Sequence, residues 1–510
     1  SLNRQLELEE NLRERIFDVL EDLANAFREH APNQITPMDY PALYQTSLIF
    51  LYRLLFVLYA ESRELLPVFL PPREGASLLY RNRFSLAALV PRLKQPAADF
   101  QSGTLCDLYQ RLLDLFHLID GDSEALNREA KVTRYNGGLF DATQNPHIER
   151  WRVPDRALAH VLQQFIFAQP PASGRRRQQQ IVTDETVDYA SLEVRQLGDI
   201  YEGLLGAHLE ADATGRLTLR NEKGENHREG IYYTPDWVVT YLVRETLQPL
   251  LDEIDRSESV QNALRQRSEE RRRDNSFTHA VLRLNVLDPA MGSGHFLVRA
   301  TVFLADAIRK HPTTRVMTAQ VVTHGQQRRT RRDIEQAGLV PVPPGVSQQQ
   351  AETAYWRRRV VEACIYGVDL NPLAVELTKL SLWLTCIAVD EPLNFLDHHL
   401  CQGNSLLSAA TEELGHSPHA TFDERDRQVV LPQDQLASAL RAVIAENHRI
   451  EGTYATHMAE VKDKERRWRA VRAQMKPFIE IADLWLAAAD GLAVNELDYQ
   501  TLVRLALNQL

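Results

Sequence analysis

The spacing of apolar positions gives the chain two characters. From Ser1 to about Gly206 it is mainly helical. "LRERIFDVLEDLANAF" places Leu12, Ile16, Val19, Leu20 and Leu23 on one helical face. The same period recurs around Leu51 to Leu58, in "LYQRLLDLFHLI" from Leu108 and in "ALAHVLQQFIF" from Ala157. Alternating, strand-like stretches are scarce here. The most apolar run, "SLIFLYRLLFVLYAE" (Ser47 to Glu61), is expected to be a buried helix. It reads as too short for a bilayer, and Arg53 interrupts it. "QPPASGRRRQQQ" (Gln169 to Gln180) reads as a loop, and no fixed-period repeat suggests a solenoid.

After about Asn221 the pattern changes. "GIYYTPDWVVTYLVRETLQPLL" predicts a helix capped by Thr234, with Pro235 at its first position. Its apolar face is Val238, Val239, Leu242, Val243 and Leu247. "LRLNVLDPA" predicts a buried strand, and "HFLVRATVFLADAIRK" the helix after it. This is the first unit of an open α/β sheet. A polar stretch from His311 to Gln350 reads as an insertion loop. "VVEACIYGVDLNPLAVELTKLSLWLTC" gives a second strand, an acidic turn and a helix from Pro372. "HHLCQGNSLL" gives a third short strand, and the chain beyond Ser408 reads as polar and then as a helical hairpin.

Length and composition narrow the class. A chain of 510 residues exceeds one ordinary core, so about two to four domains are expected. We divide it into a helical domain (1–220), an α/β core (221–407) and a helical segment (408–510). The four cysteines lack CxxC spacing, which points away from zinc and disulfide scaffolds and toward a reducing cytoplasm. No metal site and no membrane partner are expected. The net charge of −11 is not that of a small module held to nucleic acid by overall charge. Arginine clusters at 175–177, 271–273, 328–332 and 357–359 nonetheless suit a polyanion locally. Each of these, taken singly, is better read as a solvated face.

Three short stretches carry chemistry. In "DPAMGSGHF", Gly292 and Gly294 permit close approach of a ligand, and the start of the next helix offers amide donors to an anion. The loop lacks the Lys-Ser/Thr of a P-loop and the third glycine of GxGxxG, so alone it reads as a tight turn. In "YGVDLNP", Asp369 ends a strand, where a carboxylate can accept both hydroxyls of a ribose. Alone it also reads as a helix cap. Its distance from the loop is far greater than the usual interval of about twenty residues, because of the insertion after Lys310. In "QGNSLL", Asn404 suits either an adenine edge or a turn.

In combination and in this order, "YYTP", "DPAMGSGHF", "YGVDLNPLAVELTKLSLWL" and "GNSLL" resemble the large S-adenosylmethionine-dependent DNA adenine methyltransferases. These are the type IIG restriction–modification enzymes and the phage-defence methylases of BREX and DISARM systems. Upstream, "LYRLLFVLYAESRELLP", "YNGGLFD" and "LGDIYEGLLG" are similar to the helical region preceding their core. The resemblance implies an α/β fold with a Rossmann-like class I methyltransferase core, incomplete in this chain. It implies S-adenosyl-L-methionine as cofactor and double-stranded DNA, with other defence subunits, as partners.

The resemblance also assigns roles. Thr234, flanked by Tyr233 and Pro235, would meet the methionine carboxylate. Asp288, Pro289, Ala290, Met291, Gly292, Ser293 and Gly294 would hold the methionine portion, Asp288 facing the ammonium group. Asp369 would take the ribose hydroxyls and Asn404 the adenine, where many relatives carry Asp. Phe296 and Leu370 would line the pocket. Amine methylation in this family further needs an Asn/Asp-Pro-Pro-Tyr/Phe motif that grips the flipped base. "LPPREG" and "VPPGV" supply only the prolines, so no catalytic residue is assigned. The opening Ser1 and the missing motif lead us to expect a fragment. The alternative is a scaffold or sensor that binds the cofactor without transferring the methyl. A nicotinamide-dependent oxidoreductase fits the loop poorly.

Overall fold

The computed structural model describes residues 2–68, 77–95, 100, 105–132, 139–167, 186–187, 189, 204, 207–220, 234–268, 273–314, 318–320, 334, 339–342, 346–386, 395–407, 433–452, 458–494 and 496–507. Tyr233, the arginine clusters at 175–177 and 328–332, and most of "YNGGLFD" and "LGDIYEGLLG" lie outside the described residues.

The N-terminal part is helical, as its periodicity predicts. α1 (Leu2–Glu29), α2 (Tyr40–Ser62), α3 (Asp107–Asp120) and α4 (Asp155–Ile166) supply most of its core. Leu20, Leu23 and Phe27 of α1 are fully buried. α2 is longer than the apolar run suggested. The span Pro37–Ser62 is long and apolar enough to cross a membrane, but most of its apolar window is buried inside the protein. Arg53, at the centre of α2, is fully buried. Its Nε donates to the Leu139 carbonyl at 2.8 Å, and the guanidinium lies over the rings of Phe116 and Phe140 at 5.3 and 5.7 Å. The charge is thus solvated by backbone and aromatic faces, which is how a helix this apolar tolerates it.

A short antiparallel hairpin, β1 (His208–Ala211) and β2 (Leu217–Arg220), was not anticipated. Asp212 forms its turn by accepting from the Thr214 and Arg216 amides, with Gly215 at φ +84. Asn25 on α1 holds the hairpin, exchanging hydrogen bonds with the Leu217 backbone.

The rest of the described chain carries the second pattern. α5 (Asp236–Arg256) lies beside α6 (His295–Lys310), which follows β3 (Val286–Asp288). α7 (Gln348–Cys364) leads into β6 (Ile365–Asp369), α8 (Pro372–Cys386) and β7 (Leu400–Gln402). Strands β3, β6 and β7 form a three-stranded parallel sheet in that order. α8 also packs on α2, and one hydrophobic core runs from Ile16 to Leu400. The protein is mostly helical, with small parallel sheets. α9 (Gln433–Gly452) and α10 (Met458–Ala489) make the expected C-terminal hairpin, and α11 (Glu496–Leu507) packs against α10.

Four expectations are corrected. The strand expected over "LRLNVLDPA" is only Val286–Asp288, and Leu287 is 60% exposed, because successive side chains of a strand alternate and Leu287 stands on the face opposite half-buried Val286 and Asp288. Leu282 belongs instead to the end of a short helix, Ser276–Val281, its amide bonded to the Thr278 carbonyl. The stretch read as an insertion loop contains a parallel strand pair, β4 (Thr318–Gln320) and β5 (Val340–Val342). Thr234 does not cap α5: the helix starts at Asp236, and the Pro235 carbonyl accepts from Val238 and Val239. Finally, the cluster at 357–359 does not present three free cations. Arg358 is buried 3.9 Å from Glu362, and Arg357 reaches the Thr385 carbonyl.

Candidate functional site

The candidate site lies where the three parallel strands end. Register sets its depth. Asp288 pairs with Gly367, so β6 runs two residues beyond the end of β3. Asp369 pairs with Gln402, so β6 and β7 end level, and Asn404 follows two residues past β7. Asp288, Asp369 and Asn404 therefore step across the carboxyl edge of the sheet. In an open α/β sheet this edge is where ligands bind, because the loops there are free of the ladder.

The glycine loop fills the step between β3 and β6. The Met291 amide donates to the Val368 carbonyl at 3.1 Å, and the Gly294 amide to the Met291 carbonyl at 2.7 Å. Gly294 has φ +80, and a side chain there would lie 2.7 Å from Thr378 Cγ2. Glycine is thus required twice over, by backbone conformation and by space. Gly367 gives the complementary room in β6, since a Cβ there would fall 2.2 Å from Met291 Sδ. Met291 and Ser293 are buried, while Pro289 and Ala290 are exposed.

The acids differ in surroundings. Asp369 Oδ2 accepts from the Gly292 amide at 2.9 Å and Oδ1 from the Asn371 amide at 2.8 Å. Each carboxylate oxygen has two lone pairs, so capacity remains for two hydroxyl donors. Asp288 Oδ1 accepts from the Ala290 amide at 3.1 Å. Burial, and then the nearby Asp369 charge, raise the Asp288 carboxyl above the usual aspartate range, partly offset by the Ala290 amide. Two neighbouring carboxylates at one strand edge suit a ligand that brings a cation and hydroxyls.

The other sequence candidates are less uniform. Leu370 is 68% exposed at the rim. Phe296 is half-buried and packs toward the core. Asn404 is exposed, and its Oδ1 accepts from the Leu406 amide at 3.0 Å, a turn role. Thr234 and Pro235 precede α5, and the next residue, Asp236, ties that helix start to α6. Its carboxylate pairs with Arg299 and lies 3.4 Å from His295 Nε2. His295 directly follows the glycine loop, so this contact brings the "TP" segment alongside it.

Several residues were missed from the sequence. Asp236, Arg299 and Thr378 join elements distant in sequence, and nothing local marks them. Ser405 is the neighbour of a chosen residue, yet it is the one whose Oγ reaches the Pro289 carbonyl, at 2.8 Å. Gly367 carried a signal, since a glycine inside a strand marks close approach.

No known protein-family profile matches this sequence. The chain is similar to a curated protein of Methanocaldococcus jannaschii named "putative type II restriction enzyme and methyltransferase", at 24% identity over 326 residues. The match covers 59% of this chain and 23% of that protein, so the chain spans about a quarter of its relative's length.

Proposed function

We propose that the chain carries the S-adenosyl-L-methionine pocket of a restriction–modification DNA methyltransferase that acts on the N6 of adenine. The observation that carries this reading is the stepped placement of Asp288, the glycine loop and Asp369 at the ends of adjacent parallel strands. The name of the archaeal relative supports the methyltransferase and restriction–modification part of it. In this reading the three-stranded sheet is part of a Rossmann-like core, the helices of 1–220 form a preceding domain, and 408–510 a following helical segment.

The residues fit the cofactor's functional groups. Asp369 has lone pairs left for the ribose 2′ and 3′ hydroxyls after accepting its two amides. Asp288, raised in pKa by burial and by Asp369, regains a favourable ionised state beside an ammonium group. Pro289 to Gly294 bring backbone rather than side chains against the methionine portion. Thr234, between Tyr233 and Pro235, meets its carboxylate. Asn404 meets the adenine, with its Oδ1 engaged in the turn, and Phe296 and Leu370 flank the pocket. The cofactor supplies an electrophilic methyl group. This chain's own residues bind and orient the donor.

Transfer requires the acceptor base out of the duplex, with its amine aligned to the methyl. No Asn/Asp-Pro-Pro-aromatic sequence occurs among the 510 residues. We therefore assign this chain donor binding and assign the acceptor grip to residues outside it. The same absence favours a second reading, a cofactor-binding sensor or scaffold of a cytoplasmic defence complex. Calorimetry with S-adenosyl-L-homocysteine tests the pocket. Single-site binding supports both readings, and no binding by folded protein rejects both. Transfer of labelled methyl to duplex DNA by the parent assembly then separates enzyme from scaffold.

A further inference from the structure

Resting on the cofactor reading above, we propose that Thr378 is a positioning residue: with Asp369 it clamps the Gly292 backbone from both sides and so sets the shape of the donor loop. Thr378 lies on α8 and is fully buried. Its hydroxyl donates to the Gly292 carbonyl at 2.8 Å. The Gly292 amide in turn donates to Asp369 at 2.9 Å. Asp369 and Thr378 belong to the β6–α8 unit, whereas Gly292 belongs to the β3–α6 loop. One strand unit therefore holds the loop of its neighbour through both polar groups of a single residue.

A threonine inside a helix ordinarily turns its hydroxyl back to the carbonyl four residues earlier. Thr301 does this with Leu297 at 2.8 Å, and Thr385 with Ser381 at 2.7 Å. Thr378 departs from that habit and reaches across to the loop. Its methyl group occupies the other half of the job, standing where any side chain on Gly294 would have to go.

The acid on the far side of the clamp is itself fixed. The Asn371 amide donates to Asp369 Oδ1, and Asn371 Oδ1 accepts from the Leu373 amide at 2.9 Å at the start of α8. Ser405 adds a weaker grip at the mouth, because it is exposed, through the Pro289 carbonyl. If the Thr378 hydroxyl is removed, the Gly292 carbonyl loses its buried donor. The loop then relaxes, and the Gly292 amide no longer holds Asp369 in the geometry that two ribose hydroxyls need.

The test compares the full chain with Thr378→Val, which keeps shape and loses the donor, and with Thr378→Ser, which keeps the donor. Amide hydrogen exchange over residues 290–294 is measured without ligand, and affinity for S-adenosyl-L-homocysteine is measured by calorimetry. Thr378→Val is expected to speed loop exchange and weaken binding, each by about tenfold, leaving exchange in α1 to α4 as in the parent. Thr378→Ser is expected to restore both. Parent-like loop exchange in Thr378→Val overturns the clamp. So does a Thr378→Ser that behaves like Thr378→Val, or a loss of protection spread evenly over the protein. If the parent chain fails to bind the homocysteine derivative, the cofactor reading fails, while the exchange contrast still decides the clamp.

Discussion

Asp369 Oδ2 accepts the Gly292 amide at 2.9 Å, across 77 residues of sequence. The proposed ribose acid is thus also an anchor of the glycine loop, and the two ends of the candidate pocket are not independent. Asp369→Ala should weaken S-adenosyl-L-homocysteine binding by roughly a hundredfold, since it removes a charged acceptor and leaves a loop amide unpaired. Asp369→Asn keeps one acceptor and should fall between. Calorimetric affinities of the two variants check the order. Equal affinity in Asp369→Ala and parent would remove the acid from the site.

The loop geometry predicts a steric result. Gly294→Ala demands φ near +80 from an alanine and sets its Cβ against Thr378 Cγ2. Strain of roughly 1–3 kcal/mol is expected. It should appear as a lower unfolding midpoint in urea and as weaker ligand binding. Gly215→Ala has a similar φ of +84 but open space around it. It should lose stability through backbone strain alone, with binding unchanged.

Much of this site was legible in the sequence because its parts are local. A strand ending in an acid, a glycine pair and a helix start occupy consecutive residues, and α8 begins at Pro372, as its sequence implied. What escaped depends on tertiary partners. Leu287 looked buried by composition, yet it stands on the face opposite half-buried Val286 and Asp288. Thr234 looked like a cap, yet the helix starts one residue later than that cap implies, at Asp236, whose carboxylate is tied to Arg299 of α6. β4 and β5 escaped because three-residue strands are too short to leave a periodic trace, and Pro341 sits inside one of them. Thr378 escaped because a helical threonine gives no sign of which carbonyl it will choose.

Asp288 gives a pH prediction. Its folded pKa is raised, so its contribution to the stability of the ligand-free protein is present at low pH and is lost as pH rises through that value. Ammonium binding needs the carboxylate, so the sign reverses for the ligand. Affinity should fall as pH is lowered, beginning above the ordinary aspartate pKa of about 4. Asp288→Asn should bind more weakly and flatten this profile. A parent profile that is level down to the point of acid unfolding would argue against the assignment.

Glu61 makes a second, independent pH contribution away from the site. Burial pushes its carboxyl up to about 7, against the lowering effect of hydrogen bonds from the Tyr80 hydroxyl and the Leu86 and Ala87 amides. A raised acid stabilises the fold below its unfolded pKa, and that contribution fades as pH rises through 7. The whole effect is on the order of a few kcal/mol. The unfolding midpoint should therefore rise as pH is lowered from 8 toward 5. Glu61→Gln should remove that part of the slope.

The most direct measurement is a crystal structure of this chain with S-adenosyl-L-homocysteine. The account predicts the ribose hydroxyls within hydrogen-bonding distance of the Asp369 carboxylate, the ammonium group beside Asp288, and the glycine loop against the amino-acid portion. A ligand bound elsewhere, or one in this cleft with its ribose turned away from Asp369, would contradict it.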